Sequence, residues 1–177
     1  MLPDFFQASE VPIVHKFYRN YFKDCYVCGD VDYIFGPNTA FFDHCEIHSI
    51  ARVSEGKAYI TAASTPAGQE FGLVFSHCRI TGEEPDSVYL GRPWRDCAKT
   101  AFICCELGDH ICPEGWQNWG KVRAEVLSDY IEYGNFGPGA DCSGRSPLSR
   151  CLVNPEVETY FSKENVLVGE DGWIPAE

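Results

Sequence analysis

The sequence predicts an all-β fold of the parallel β-helix type or a related β-solenoid. One phrase, Phe-x-x-Cys-x-aliphatic, occurs four times, as FKDCYV at 22–27, FDHCEI at 42–47, FSHCRI at 75–80 and FICCEL at 102–107. The intervals between the phrases are uneven, which is typical of constant strands joined by loops of variable length. Repeats roughly 20–50 residues apart indicate stacked units, none of which buries its apolar face alone.

The segments around the phrases favour strands over helices. They are short, rich in β-branched and aromatic residues, and bounded by Gly, Pro, Asn or Asp, as in YVCGDVDYIFG, KAYITAAS and EFGLVFSHCRITG. Only PEVETYFSKENVL at 155–167 has the pattern of one or two helical turns. The alternative all-β fold, a sandwich, predicts hairpin turns roughly every 8–12 residues, and these are not evident.

The four cysteines of the repeated phrase, out of ten in the chain, are interpreted as packing residues. Ten cysteines are few for a disulfide scaffold in a chain of 177 residues. Cys25 and Cys28 form one CxxC pair, but no second pair and no histidine pair follows at zinc-ligand spacing, so no metal site is predicted. A buried thiol is a small apolar group, and four of them in one repeated phrase indicate four equivalent interior positions. Cys142 and Cys151 would be able to pair in an oxidising compartment.

Length and composition predict a single β-helix domain over 1–177, with a divergent start at 1–20 and a C-terminal tail at 152–177. Hydrophobic residues make up 45% of the chain, which is ample for one core. No stretch has the pattern of a membrane span, and the first ten residues lack that of a secretory signal. The net charge of −12 makes nucleic acid and anionic membranes poor partners. An acidic polymer would have to bind at a locally basic or aromatic site.

Asp32 and Arg92 are the candidate catalytic residues. Asp32 lies in the apolar segment GDVDYIFG at 29–36, where an aspartate is either paired with an arginine or used in chemistry. Strand alternation would place Asp30 and Asp32 on one face, although Asp30 is also explained as a turn residue. Arg92, in YLGRPW, would lie beside Asp32 when the rungs stack. A bidentate arginine favours a charged carboxylate, so a structural salt bridge and an activated nucleophile are equally good interpretations.

These two segments also carry a family resemblance. GDVDYIFG closely resembles the GxVDFIFG signature of pectin methylesterases (pectinesterases), and YLGRPW is similar to their LGRPW signature. The resemblance continues through YITAASTP at 59–66, EYGNFGPGA at 132–140 and VLVGEDGWIP at 166–175, and it covers the chain from about Tyr21 onward. The chain is thereby identified as similar to the C-terminal portion of a bacterial-like pectinesterase, truncated at its N-terminus.

The resemblance implies a right-handed parallel β-helix, the pectin-lyase-like solenoid, that demethylates homogalacturonan in cell walls and releases methanol. By position, Asp32 takes the place of the nucleophile and Arg92 that of the arginine that orients it. The residues that resemble the aromatic substrate-binding positions are Phe35 and Trp94, joined by one of Trp116 and Trp119. No cofactor is implied, the partner is pectin, and the setting is extracellular. A monomer is expected if the ends of the solenoid are capped.

The sequence departs from the family pattern upstream of Asp32. The family carries its general acid and an oxyanion-stabilising glutamine in a QDT motif about one rung before the nucleophile, and FQASEVPIVHKFYRN at 6–20 does not resemble it. Gln7 or Glu10 would substitute only through a shift of register. Weak or absent esterase activity is therefore expected. The alternatives are an inactive β-helix fragment that binds pectin, a polygalacturonase with paired carboxylates, and a Ca²⁺-dependent lyase.

Overall fold

The computed structural model describes residues 18–169 and 171–175. The strands in this part of the chain are β1 (Arg19–Lys23), β2 (Tyr26–Gly29), β3 (Val31–Gly36), β4 (Thr39–Asp43), β5 (Glu46–Ser49), β6 (Ala58–Ala63), β7 (Leu73–Ser76), β8 (Arg79–Gly82), β9 (Val88–Gly91), β10 (Lys99–Ile103), β11 (Glu106–Leu107), β12 (Asp129–Tyr133) and β13 (Ser149–Leu152). The helices are α1 (Ala124–Leu127), α2 (Glu156–Tyr160) and α3 (Lys163–Leu167), with 3₁₀ turns at Pro138–Ala140 and Cys142–Gly144. The predicted divergent start at 1–20 lies outside these residues except for its last three.

The strands form three parallel sheets that wind as one coil. The large sheet has the order β1-β4-β7-β10-β12-β13, the four-stranded sheet β11-β8-β5-β2, and the three-stranded sheet β3-β6-β9. Neighbours within each sheet are one turn of the coil apart in sequence and pair in parallel register. The all-β parallel β-helix predicted from the sequence is therefore the observed architecture. The predicted helical turns also occur, as α2 and α3.

The phenylalanines of the repeated phrase stack along the inside of the large sheet. Phe22, Phe42, Phe75 and Phe102 occupy matching register positions in β1, β4, β7 and β10. Their ring centroids are 4.7, 4.6 and 4.5 Å apart in order, with nearly parallel planes. Such aromatic pairs contribute about 0.5–1.5 kcal/mol each beyond their burial. The repeat thus specifies a continuous aromatic column, which is buried from Phe42 to Phe102 and partly exposed at Phe22.

The cysteines of the phrase form a second column beside the phenylalanines. Cys45, Cys78 and Cys105 are fully buried. The Cys45 thiol donates to the carbonyl of Phe22 at 3.4 Å, and the Cys78 thiol donates to that of Phe42 at 3.3 Å, so each thiol reaches one rung back. The hydrogen bond with Cys78, together with burial, raises the pKa of the Cys45 thiol. The predicted interior position is confirmed for these three cysteines, whereas Cys25, on the first described rung, is only partly buried.

The third residue of each phrase makes the corner between two sheets. Asp24, His44, His77 and Cys104 have φ values of 52°, 51°, 53° and 53°, in the left-handed region. Asp and His are among the residues that enter this region more readily than most. Each of these corners turns the chain from the large sheet into the four-stranded sheet, and Asp24, His44 and His77 are exposed while Cys104 is partly buried. The corner positions form a third column, on the outside.

The C-terminal helices cover the outer face of the large sheet. Along each strand the residues before the stacked phenylalanines face outward, as Phe41 and Val74 do. These pack with Val157 of α2 and with Val166 and Leu167 of α3 into a second apolar cluster. The large sheet is thus buried on both faces, as parallel sheets generally are. No described helix has the length and apolar character that a membrane span requires.

The disulfide between Cys142 and Cys151 closes the connector before the last strand. The two Cα atoms are 6.4 Å apart, within the usual range for a disulfide. The pairing that the sequence allowed is therefore present. It ties the second 3₁₀ turn to β13 at the C-terminal end of the large sheet.

A buried ion pair ends the phenylalanine column. In β12, Glu132 occupies the position that matches Phe102 in β10. Its carboxylate accepts hydrogen bonds from Arg145 Nε at 2.9 Å, from Arg145 Nη2 at 3.0 Å and from Trp116 Nε1 at 2.9 Å. The carboxylate and guanidinium side chains are almost fully buried. Because every donor has an acceptor, the charge is accommodated inside the coil.

Replacing Arg145 by Met would leave the Glu132 carboxylate buried without its cation. The expected loss of unfolding free energy is about 3–5 kcal/mol, measured by urea denaturation. Arg150 supplies a matched control, because its pair with Asp129 is solvent-exposed. Arg150→Met is expected to cost no more than about 1 kcal/mol. Equal losses in the two variants would contradict a structural role for the buried pair.

A second buried polar group, His110, lies within the turn that follows β11. Its side chain is fully buried, and neither ring nitrogen has a hydrogen-bond partner. The ring occupies the space that a side chain at Gly82 or Gly108 would need. Burial lowers the pKa of His110 from 6.5 to about 4, against the opposing effect of Asp109. The native state therefore holds a neutral imidazole.

The pKa of His110 predicts acid sensitivity. Between about pH 6.5 and pH 4 the unfolded chain binds a proton at this site that the native state does not, so stability falls as the pH falls through this window. The contribution is at most about 3 kcal/mol, at 1.36 kcal/mol per pKa unit. His110→Met should remove that part of the decrease in urea-denaturation free energy. A pH profile unchanged by His110→Met would refute the assignment.

Candidate active site

Asp32 lies at a β-bulge in the first strand of the three-stranded sheet. Val31 pairs with Tyr59 and Ile34 pairs with Thr61, so three steps along β3 match two along β6. Asp32 has a φ of 51°, in the left-handed region. That conformation costs a non-glycine residue about 1–2 kcal/mol. Bulges of this kind redirect side chains next to functional sites.

Asp30 lies in the bend before β3 and takes no part in the hydrogen bonds between Arg92 and Asp32. Its carboxylate accepts a hydrogen bond from the backbone N–H of Val31 at 2.8 Å, as a turn residue does. The bulge interrupts the strand alternation on which the expected common face depended. Of the two interpretations offered for Asp30, the turn residue is the one that the geometry supports.

Arg92 follows β9 and meets Asp32 across two rungs of the coil. Arg92 Nε donates to Asp32 Oδ1 at 2.9 Å, and Nη2 donates to Oδ2 at 2.6 Å. The Arg92 side chain is 16% exposed and that of Asp32 is 22% exposed, so the pair is largely buried but still in contact with solvent. The guanidinium carbon lies 3.9 Å from the ring centroid of Tyr59 and 3.8 Å from that of Trp119. These contacts leave the guanidinium little freedom to turn.

Gly91 allows β9 to approach β6 closely enough to place Arg92. A Cβ at this position would collide with Thr61 Oγ1 and press on the ring of Trp116. The Thr61 hydroxyl is itself used, donating to the carbonyl of Leu90 at 2.8 Å. The backbone N–H of Arg92 then donates to the Thr61 carbonyl at 3.0 Å. The absence of a side chain at position 91 therefore fixes the backbone position from which the Arg92 side chain extends.

Three exposed aromatic residues surround the pair. Phe35 is 54% exposed and lies three residues after Asp32 on the same strand. Its ring meets that of Trp94 edge to face, with centroids 5.6 Å apart. Trp119 is also exposed and lies over Arg92. Asp32 and Arg92 thus open onto a surface whose nearest large side chains are aromatic.

The assignment of Trp116 to the binding surface is wrong. Trp116 is 2% exposed. Its ring stacks on Tyr130 with centroids 4.2 Å apart, and its Nε1 donates to the buried Glu132. Of the two tryptophans in GWQNW, Trp119 is the one that faces the surface. Both belong to the same short segment, so only the tertiary packing distinguishes them.

Positive charge is concentrated beside the aromatic surface. Lys121 Nζ donates to the carbonyls of Pro93 and Trp94 at 2.7 and 2.8 Å and lies 4.6 Å from the Trp119 ring centroid. Burial, with the nearby Arg95 and Arg92, lowers the pKa of Lys121 in spite of Asp96. The side chains of Trp94, Arg95 and Lys121 line a shallow cavity of about 370 Å³. A locally basic and aromatic site therefore exists on this acidic chain.

Sequence reasoning missed Tyr59, Arg95 and Lys121. Tyr59 stacks on Tyr89 of the next rung, with ring centroids 5.2 Å apart, and its ring also contacts the Arg92 guanidinium. Arg95 directly follows the segment YLGRPW, and this adjacency was the available signal. No pattern in the sequence predicts the loop that brings Lys121 to the carbonyls of Pro93 and Trp94.

The candidate general acids are outside the described part of the chain. Gln7 and Glu10 precede residue 18, where the description begins. Within 18–169 and 171–175, Arg92 is the one side chain that hydrogen-bonds Asp32. The described part of the site thus contains the Asp32 carboxylate, the Arg92 guanidinium and the aromatic residues around them.

Comparison with known proteins identifies the family to which this geometry belongs. The Pectinesterase family model matches residues 9–170. The chain belongs to the pectinesterase family. It is 40% identical to Pectinesterase 31 of Arabidopsis thaliana over 140 residues, which is 78% of this chain and 43% of that protein. It is 36% identical to Pectinesterase 2 of Olea europaea over 145 residues, 81% of this chain and 38% of that protein.

Solved pectin methylesterases have the same fold. The enzyme from carrot superimposes with a TM-score of 0.77 at 30% identity, covering 86% of this chain and 51% of that one. A pectin methylesterase in complex with hexasaccharide VII gives 0.70 at 27% identity, covering 89% and 53%. The fold of this pectinesterase-family chain is thereby confirmed as a right-handed parallel β-helix. The chain spans about half the length of these structures, and less than half that of the two relatives above.

Proposed function

We propose that this chain carries the nucleophile and substrate-binding part of a pectin methylesterase site, within a single β-helix domain over 1–177. The observation that carries the proposal is the bidentate contact between Arg92 and Asp32 beneath an exposed aromatic surface. The pair lies at a bulge, with Asp32 in a left-handed conformation, and it stays partly open to solvent beside exposed aromatic rings. Strained residues held in place by their surroundings cluster at functional sites.

Asp32 would attack the methyl-ester carbonyl of a galacturonate residue. One carboxylate oxygen forms a bond to the ester carbon, giving a tetrahedral intermediate with a negative oxygen. Collapse of this intermediate breaks the bond to the methoxy group, which takes up a proton and leaves as methanol. The resulting anhydride is hydrolysed by water, which regenerates the Asp32 carboxylate and leaves a galacturonate carboxylate. Arg92 would orient the carboxylate so that one oxygen faces the substrate.

The reaction also needs a group that protonates methanol and donors that stabilise the tetrahedral oxygen. In the family these come from the glutamine–aspartate motif, which the segment at 6–20 does not resemble. General acid–base assistance contributes about 10²–10⁴-fold, and an oxyanion donor contributes a similar factor. We therefore expect the 177-residue chain to be a slow esterase.

Homogalacturonan is the substrate that the surface would bind. Phe35, Trp94 and Trp119 offer flat apolar faces for sugar rings. Arg95 and Lys121 would attract free galacturonate carboxylates to this part of an otherwise acidic chain. The relative solved with a hexasaccharide supports the same substrate class for this chain. An extracellular setting and a monomeric state are parts of the same proposal.

Methanol release from highly methylated pectin tests the nucleophile. The rate is expected to be about 10²-fold or more below that of a full-length family enzyme, because the acid motif is not recognisable. Asp32→Asn should abolish the remaining release by removing the nucleophilic oxygen, whereas Asp30→Asn, at the neighbouring turn, should leave it intact. Release that survives Asp32→Asn would exclude the proposed nucleophile. Shortening of the polymer instead of demethylation would favour a polygalacturonase or a lyase.

The exposed aromatics also support the second candidate, a binding module without activity. Retention of the chain by pectin in affinity electrophoresis should weaken about 2–10-fold in Phe35→Ala and in Trp94→Ala, for a loss of about 0.5–1.5 kcal/mol per ring. Phe136→Ala is the control, since Phe136 is equally exposed but lies beside β11. Retention unchanged in both site variants would argue against this surface. Retention without methanol release would favour the binding module over the esterase.

A further inference from the structure

A second group of reactive side chains lies on the outer corner between the large and the four-stranded sheets. His44, His77 and Cys104 occupy successive corner positions with left-handed backbone conformations. The rings of His44 and His77 stack with centroids 5.1 Å apart and planes 8° apart. Cys104 follows on the next rung, where its backbone N–H donates to the carbonyl of Tyr133 at 2.7 Å. The coil thus places an imidazole and a thiol next to each other.

Helix α2 adds a carboxylate to this corner. Glu158 Oε1 lies 3.7 Å from His77 Nε2. The ligand atoms of His77, Cys104 and Glu158 all lie within 4.8 Å of one another. The three residues come from β-helix corners and from the C-terminal helix, so only the folded chain brings them together.

The hydrogen bonding of His77 leaves one ring nitrogen free for a cation. Ser76 Oγ lies 3.0 Å from His77 Nδ1. When Nδ1 carries the proton and donates to Ser76, the lone pair of Nε2 is directed toward the Glu158 carboxylate. Metal-bound histidines are held in this way by a hydrogen bond at the other ring nitrogen. The lone pair of His77 Nε2 and the Glu158 carboxylate then face each other across a gap of the size that a metal ion fills.

We propose that His77 Nε2, Cys104 Sγ and Glu158 Oε1 bind one Zn²⁺, with a water molecule as the fourth ligand. Zinc accepts nitrogen, thiolate sulfur and carboxylate oxygen at about 2.0–2.3 Å in tetrahedral geometry, which places ligand atoms about 3.3–3.7 Å apart. The distance between His77 and Glu158 already meets this, and the thiol lies within 4.8 Å of both ligand atoms, so the remaining approach is at most about 1.5 Å. The exposed side chains of His77 and Glu158 are able to move toward the thiol by that amount.

A metal ion at this position would tie α2 to the body of the β-helix. Burial and the charge of Glu158 raise the pKa of the Cys104 thiol. A bound divalent cation would offset that repulsion and release the thiol proton. The effect would be to fasten the C-terminal helices that cover the outer face of the large sheet. Spacing rules for zinc ligands consider residues a few positions apart in sequence and therefore do not detect such a site. His77 and Cys104 lie one turn of the coil apart, and Glu158 follows Cys104 by two turns or more.

Cobalt binding tests the site. The Cys142–Cys151 disulfide has to stay intact during the titration, because its two cysteines lie near Glu132 and would otherwise offer a second group of metal ligands. Co²⁺ bound by a thiolate gives a sulfur-to-metal charge-transfer band in the near ultraviolet, and Zn²⁺ should displace it. One equivalent is expected to saturate the band. Cys104→Ser should abolish it, and Glu158→Gln and His77→Gln should weaken Co²⁺ binding at least about 10-fold. Cys28→Ser, which removes an exposed thiol elsewhere, should leave the band unchanged.

The thermal unfolding temperature gives a second readout that does not depend on the cysteine variant folding normally. Zn²⁺ should raise it in the wild-type chain and not in Glu158→Gln, whose exposed change is not expected to unfold the protein. The proposal is overturned if the wild-type chain shows no charge-transfer band, or if the band survives Cys104→Ser. The proposal is also overturned if Zn²⁺ stabilises Glu158→Gln as much as wild type. The cluster would then be explained by an ion pair between His77 and Glu158 without a metal ion.

Discussion

The parallel register of the three sheets is the constraint on which every other feature of the molecule depends. Each rung places its residues directly against the equivalent residues of the next rung, so Phe22 meets Phe42 and Phe42 meets Phe75. In the three-stranded sheet, β9 stacks two rungs after β3, and with the bulge at Asp32 this brings Arg92 to the Asp32 carboxylate. The contact thus arises from the coil as a whole, because no local segment of the chain contains both residues. Inserting or deleting one residue within a strand would reverse the facing of its side chains and separate such pairs.

Charged groups are accommodated differently inside the coil and on its surface. Glu132 lies in the core, where both of its carboxylate oxygens accept hydrogen bonds from the buried donors of Arg145 and Trp116. Asp32 is held by one arginine and remains partly open to solvent. A carboxylate that is fully enclosed by donors has no oxygen left to react, whereas one that is held on a single side has. The two ion pairs have similar distances, and their surroundings decide which is structural and which is suited to chemistry.

Much of the fold and part of the site could be predicted because the repeated phrase is a local signal with a fixed physical meaning. Phenylalanine and cysteine at constant spacing marked the buried side of each corner, and an aspartate in an apolar strand marked the residue that pairs with Arg92. The bulge at Asp32 could not be predicted, since a left-handed backbone at a non-glycine residue leaves no compositional trace. Neither could the burial of Trp116, which depends on the carboxylate of Glu132, or the return of Lys121 to the aromatic surface. In each case the deciding contact joins residues on different rungs.

The central claim is that the fold couples Asp32 energetically to Arg92. A double-mutant cycle with Asp32→Asn, Arg92→Met and the double variant, measured by urea denaturation, isolates that coupling from the effects of each residue alone. The bidentate geometry and partial burial predict a favourable coupling free energy of about 1–3 kcal/mol. A coupling below about 0.3 kcal/mol, within the error of additive effects, would contradict the account, because the two side chains would then not be paired in solution.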